Sequence, residues 1–248
     1  MRDELARAYA FLARGDMGGT RVEETSSGRA VFTDELPHRL DGNYLWVDRY
    51  GAPEELVDEA ARRERRLIFV PDPEIGDRLA PWFEQRGWRV DRHVVMAQLR
   101  EPEREADLSL VREVGEEELR SARTQVLRDQ PWATEEVLAQ IFAAKRLIGE
   151  RVRTRFFAAV VGEEVVSYSD LYVDDADAQI EDVGTLPEHR ERGYATAVVL
   201  AAIAAARSEG AEFVCLVADA NDWPKELYRK LGFDTVGHYT KFFVPGSM

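Results

Sequence analysis

The sequence predicts an α/β protein whose two halves follow one plan, and three observations carry that prediction. Segments of strand character and of helix character alternate along all 248 residues. A short block recurs: Trp82-Phe83-Glu84-Gln85-Arg86-Gly87-Trp88 matches Leu227-Tyr228-Arg229-Lys230-Leu231-Gly232-Phe233 in its aromatic, glycine and second aromatic, each 145 residues apart. His93 and His238 keep that offset. Between the halves lies Arg100–Asp107, charged, proline-containing and without apolar periodicity, which reads as a linker. The expected division is therefore 1–104 and 105–248.

The first residues form a short amphipathic helix that ends at Gly18 and Gly19. Strands are expected near Arg21–Glu24, Arg29–Thr33 and Asn43–Asp48. A helix over Pro53–Arg65 opens with proline, which is tolerated where no intrahelical N–H bond is needed. Strand Leu67–Val70, helix Glu74–Arg86 and strand Trp88–Leu99 complete the first half. In each copy of the repeated block, a helix ends at glycine and a core-facing aromatic follows, as a C-cap leading into a strand requires. The second half opens with strand Leu108–Val114 and helices Glu116–Arg128 and Thr134–Gly149. Arg155–Val161 and Glu164–Val173 flank Gly162 as a hairpin. Gln179–Thr185 is a strand, Glu191–Arg207 an alanine-rich helix and Phe213–Val217 an apolar central strand. Helix Pro224–Lys230 and strand Thr235–Val244 close the chain.

Composition narrows the function. Asp and Glu number 47 against 33 Lys and Arg, a net charge of −14. A surface this acidic repels phosphates, which argues against nucleic acid as a partner, and it lacks the basic face that anionic membranes attract. It tilts a small-molecule partner slightly toward cations. Cys215 is the single cysteine, so no internal disulfide forms, in keeping with a reducing cytoplasm. No apolar run is long enough to span a bilayer. Four scattered histidines and one cysteine show no metal-ligand spacing, so no metal is expected.

The chemically informative stretch is Ile180–Thr196, IEDVGTLPEHRERGYAT. A strand runs into Pro187, which stops its ladder. A loop carrying Arg190 and Arg192 then meets Gly193 and a long helix. Free N–H groups and the helix dipole favour an anion there, and glycine lets a ligand approach the backbone closely. These residues describe a phosphate cradle, although neither a GxxxxGK[ST] nor a GxGxxG pattern occurs.

Arg190-Glu191-Arg192-Gly193-Tyr194-Ala195, after the strand ending Val183-Gly184-Thr185-Leu186-Pro187, resembles the R/Q-x-x-G-x-G/A loop of the GNAT superfamily of acyl-CoA N-acyltransferases. Asn221, Tyr228 and Leu231-Gly232-Phe233 resemble that family's second signature, with Pro224 where alanine is common. The resemblance covers about Leu108–Val244, and more weakly the first half, as in a tandem GNAT protein. It implies two mixed, mostly antiparallel sheets flanked by helices, and acetyl-CoA as cosubstrate. By that resemblance, the backbone of Arg190, Glu191, Arg192, Gly193, Tyr194 and Ala195, with Thr196 in the first turn, binds the diphosphate. Strand Val183, Gly184 and Thr185 pairs with the pantetheine arm and polarises the thioester. Asn221, unless it caps the following helix, contacts that arm. Tyr228 protonates the departing thiolate. The acceptor amine needs a base. Glu181 is the first candidate, since strict alternation puts it on the face of Val183, and Asp182, expected on the opposite face, is the second. Trp132 lies between the first two helices, where acceptor sites of this family are often built.

The first half lacks this equipment. After strand Asn43–Asp48 it reads Arg49-Tyr50-Gly51-Ala52-Pro53-Glu54-Glu55, which puts acid where a diphosphate would dock, and Phe83 stands in place of the tyrosine. A non-catalytic partner domain is expected, one that walls the acceptor pocket or imitates the second subunit of a dimer. The whole reads as a cytoplasmic N-acetyltransferase that transfers directly to a primary amine of a small acceptor, with a homodimer left open. The alternative is an acyl-CoA-binding sensor or regulatory module without catalysis.

Overall fold

The computed structural model describes residues 2–128, 130 and 132–245. The first half runs α1 (Arg2–Arg14), β1 (Arg21–Glu24), β2 (Gly28–Phe32), β3 (Tyr44–Val47), α2 (Pro53–Arg62), β4 (Leu67–Val70), α3 (Pro73–Glu84) and β5 (Arg89–Gln98). The second runs β6 (Val111–Val114), α4 (Glu116–Leu127), α5 (Glu135–Gly149), β7 (Arg153–Val161), β8 (Glu164–Asp174) and β9 (Asp177–Thr185). A 3-10 turn (Pro187–His189), α6 (Tyr194–Ser208), β10 (Phe213–Asp219), α7 (Pro224–Lys230) and β11 (Phe233–Phe243) follow. No described helix is long and apolar enough to cross a membrane.

Local chemistry accounts for most boundaries. The Asp72 carboxylate accepts from the N–H groups of Glu74 and Ile75 at 2.8 and 3.2 Å and so starts α3. Gly87 and Gly232, at φ of +75° and +89°, follow the ends of α3 and α7 in left-handed conformation. The repeated aromatics make matching contacts: Phe83 meets Trp88 at an interplanar angle of 67°, and Tyr228 meets Phe233 at 66°.

The strands form one mixed, mostly antiparallel sheet of eleven, in the order β1-β2-β3-β4-β11-β5-β10-β9-β8-β7-β6. Each half contributes an antiparallel run and one parallel pair, β3 with β4 and β9 with β10. The last strand of each half crosses into the other. β5 pairs with β10, bringing Ala97 opposite Cys215, and β11 pairs with β4, bringing Thr240 opposite Val70. β5 and β11 also pair with each other, with His93 opposite Tyr239 and Val94 opposite His238. An offset of 145 residues converts one of those two pairs into the other, so the sequence repeat is also a pseudo-twofold axis between β5 and β11.

The cores follow this layout. Beneath α6 and α7, Leu171, Ile180, Val199, Ile203, Leu216 and Phe233 are buried together. Ala202 and Ala206, also fully buried, let α6 lie close to the sheet. In the first half Leu45, Ile68, Leu79 and Phe83 pack around Phe242, which arrives on the exchanged β11. Because β5 supplies half of the ladder on β10, residues 105–248 expressed alone will leave an unpaired central strand and its apolar face in water. They are expected to aggregate or show no cooperative unfolding by circular dichroism. Co-expression with residues 1–104 is expected to return a soluble complex by gel filtration.

Candidate active site

The site forms where β9 and β10 part. Their parallel ladder ends at Ile180 opposite Leu216, while β9 continues to Thr185 and β10 to Asp219. The splay leaves the edge of β9 beyond Ile180 without a neighbour and opens a slot of about 220 Å³. Val183, Ala218, Asp219, Pro224 and Tyr228 are among its lining residues.

At one end of β9 lies the candidate anion cradle. Glu191 and Gly193 take φ of +61° and +86°, which turns successive N–H groups toward one side. The helix expected from Glu191 therefore starts later, with Gly193 as N-cap and Tyr194 as its first residue. Its first intrahelical bond from the cap runs from Ala197 N–H to Gly193 O at 3.0 Å, so the N–H groups of Tyr194, Ala195 and Thr196 precede the ladder. A Cβ on Gly193 would meet nothing within 4 Å, so the space over the cradle is open. Arg190 and Arg192 are exposed beside it, and Arg190 Nε reaches Thr185 O at 3.5 Å. This geometry fits a diphosphate, and the slot fits the extended arm of coenzyme A.

Tyr228, at the start of the repeated block, is 7% exposed and faces the slot. Its hydroxyl bonds to no described residue. Burial first, then the charge of Glu181, raises its pKa, so the phenol holds its proton until a strong base forms beside it. Cys215 is fully buried with its thiol pushed up by the same effect, which leaves no activated thiolate there.

Strict alternation fails at the two candidate bases. The register passes from Tyr168 opposite Gly184 to Asp170 opposite Glu181, so Ser169 faces two residues, Asp182 and Val183. Asp182 absorbs this bulge at φ +49°. Glu181 and Asp182 consequently share one side, and Val183 points to the other, against Val198 of α6. The face assigned from alternation is thus corrected: Glu181 is not on the side of Val183, and Asp182 stands beside Glu181.

The two acids differ sharply. Asp182 accepts from Arg123 Nη1 at 3.1 Å and pairs with Lys145. Burial opposes its ionisation, but those two cations prevail and hold its pKa well below the usual carboxylate range. Glu181 makes no ion pair with a described residue and accepts from Gln179 Nε2. Burial, then the carboxylates of Asp16 and Asp182, push it well above the usual range. Beneath them lies a buried network that the sequence reading missed. Arg123 Nη2 meets Asp170 Oδ1 at 2.6 Å, while Lys145 Nζ meets Asp170 Oδ2 at 2.8 Å and the Tyr172 hydroxyl at 2.7 Å. Its one sequence signal was Lys145 within Ile141–Ile148, a stretch otherwise apolar except for Arg146.

Gly184 is fixed by packing, since a Cβ there would stand 2.4 Å from the buried Tyr168 ring. Gly184→Ala is expected to cost about 2 kcal/mol of stability by overpacking, measured by urea unfolding. Thr185 accepts or donates to Ser167 Oγ at 2.9 Å. Asn221 lies on the exposed turn before α7, its N–H donating to Asp219 Oδ1 at 2.7 Å. It neither lines the slot nor caps α7, whose N-cap is Trp223.

A second cavity, of about 540 Å³, adjoins the slot at Glu181 and Asp182. Trp132 lines it, together with residues of both halves.

The Acetyltransferase (GNAT) family model matches residues 116–233, which contain Glu181, Asp182, the loop Arg190–Ala195 and Tyr228. The chain carries a GNAT acetyltransferase domain. Its fold agrees with solved relatives. A GCN5-related N-acetyltransferase from Kribbella flavida is 17% identical at a TM-score of 0.65, covering 98% of this chain and 96% of its own. A conserved protein of unknown function from Staphylococcus epidermidis is 12% identical at 0.68, covering 91% and 94%. A tandem GNAT protein of the clavulanic acid biosynthesis pathway is 15% identical at 0.54, covering 76% and 66%. No curated protein matches the sequence. Among the described residues, no group of His, Cys, Asp and Glu is arranged to hold a metal ion.

Proposed function

We propose that this GNAT protein is an acetyl-CoA-dependent N-acetyltransferase acting on a primary amine of a small acceptor, with residues 105–248 catalytic and 1–104 a degenerate copy. One observation carries the reading: the slot holding Tyr228 opens at Glu181 into a larger cavity, so a thioester and an amine can meet at a point flanked by an acid and a base. The amine nitrogen forms its bond to the acetyl carbon, the carbon–sulfur bond breaks, the amine proton passes to Glu181 and the thiolate takes the proton of Tyr228. Asp182, held ionised by Lys145 and Arg123, adds negative charge beside Glu181 and so sustains its basicity.

Support for a single site comes from the first half, where the equivalent helix start bears Glu54, engaged by Trp82 Nε1 at 2.8 Å, and where Phe83 is stacked on Phe242. Calorimetric titration of acetyl-CoA is expected to give one equivalent. Gly193→Val places a β-branched side chain at φ +86°, over the cradle, and is expected to weaken binding at least about tenfold. Two equivalents would overturn the assignment of the first half, and no binding would overturn the reading itself.

A further inference from the structure

The walls of the larger cavity differ in chemistry. Leu127, Trp132, Val137 and Ile141, from α4, α5 and the segment between them, make an apolar wall. The facing wall comes mostly from the first half and the exchanged strands, and it is dense in charge. Those charges are nearly all consumed. Arg39 Nη2 pairs with Asp16 Oδ1 at 2.7 Å, and Lys241 Nζ with Asp41 Oδ1 at 2.6 Å. Arg89 Nη2 pairs with Asp91 Oδ2 at 2.8 Å, and His38 Nε2 meets Glu136 Oε1 at 2.9 Å. Asp182 is held by Lys145 and Arg123. Among the cavity's described acids Glu181 makes no ion pair and Glu136 meets only a histidine, and among its described lysines and arginines only Arg66, exposed at the rim, lacks an acid.

This balance discriminates between acceptors. A polyamine carries several cations into the cavity and finds only Glu181 and Glu136 without a lysine or arginine partner. A polyanion finds one unpaired cation. Either leaves most of its charges desolvated and uncompensated, which is costly. A neutral body bearing hydroxyls suits the wall, because each ion pair keeps lone pairs and N–H groups that bond to hydroxyls without a net charge on the ligand. His93 adds to this. Its Nε2 is buried and has no hydrogen-bond partner, and its ring is stacked on Tyr239 at 4.8 Å between centroids. The apolar wall, with the Trp132 indole, suits the C–H face of a ring.

We propose that the acceptor is a monoamine carried on a neutral polyhydroxylated ring, such as an amino sugar, with its amine at Glu181 and its hydroxyls on the ion-paired wall of the first half. This rests on the N-acetyltransferase reading and deepens it. The chain's overall acidity favours a cation slightly, but the groups that line this cavity are locally balanced.

Four amines separate the possibilities, each compared at equal concentration of its free base: lactosamine, spermidine, phenylethylamine and glycylglutamate. Each is titrated calorimetrically into the protein saturated with coenzyme A, then assayed for acetyl-CoA-dependent thiol release. Lactosamine is expected to bind at least about tenfold more tightly than the other three and to have the highest kcat/KM. Asp91→Asn, which breaks one ion pair of the polar wall, is expected to raise KM for lactosamine about fivefold with little change in kcat or in acetyl-CoA affinity. Preference for spermidine, phenylethylamine or glycylglutamate would overturn the inference and leave the N-acetyltransferase reading standing. Equal weak binding of all four, with acetyl-CoA bound at one equivalent, would do the same. Failure to bind acetyl-CoA at all would remove both.

Discussion

Tyr228→Phe is expected to lower turnover by about two to three orders of magnitude while leaving the acetyl-CoA dissociation constant within about twofold. The split follows from what the hydroxyl touches. Its ring fills the wall of the slot and packs on Phe233, contacts that phenylalanine keeps. Its oxygen bonds to no described residue, so deletion strands no buried partner and stability stays close to wild type. What disappears, on the proposed mechanism, is the proton for the leaving thiolate. A donor whose thiol is more acidic than that of coenzyme A needs that proton less, so an activated aryl thioester is expected to recover part of the loss. Loss of affinity in step with turnover would make Tyr228 a binding residue. Unchanged turnover would place the acid elsewhere, with bulk water as the first candidate.

What the sequence disclosed and what it withheld follow from the range of the interactions. The loop was legible because it is local: Pro187 and Gly193 are dictated by backbone conformation within a few residues, although the helix starts at Tyr194 and not at Glu191. The pairing of Gly87 with Gly232 and of Phe83 with Tyr228 was legible because a repeat is a property of the chain itself. The exchange of β5 and β11 was not. Both strands are apolar along comparable stretches, and either parallel pair, β3–β4 or β9–β10, offers an equivalent edge, so alternation gives no reason to prefer the distant one. The bulge at Asp182 was hidden for a related reason. An aspartate tolerates left-handed conformation, but the demand for it comes from Ser169 on β8 and from Lys145 and Arg123 on the helices, all remote in sequence. The same holds for the polar wall of the larger cavity, where Asp16, His38 and Asp41 sit in loops with no pattern of their own.

Lys145→Met is expected to destabilise the protein by about 3–5 kcal/mol, measured by urea or thermal unfolding, and to reduce activity at temperatures where the variant stays folded. Methionine approximates the length of the stem but leaves Asp170, with no exposure, and Asp182 sharing only Arg123. The double variant Lys145→Met, Asp170→Asn removes one of the stranded charges and is expected to be more stable than the single one, a coupling that a general packing defect would not give. The pH dependence carries the sign of the network. In the wild type Asp182 has a depressed pKa, so its contribution is present above the unfolded value of about 3.9 and is lost only as pH falls through the lower, folded value. Without Lys145 the folded value rises, protonation relieves the stranded charge, and the stability gap between variant and wild type narrows toward pH 3. A gap independent of pH would mean that Lys145 acts by volume, and the placement of Glu181 at the mouth of the slot would then rest on the backbone bulge without the ion pairs behind it.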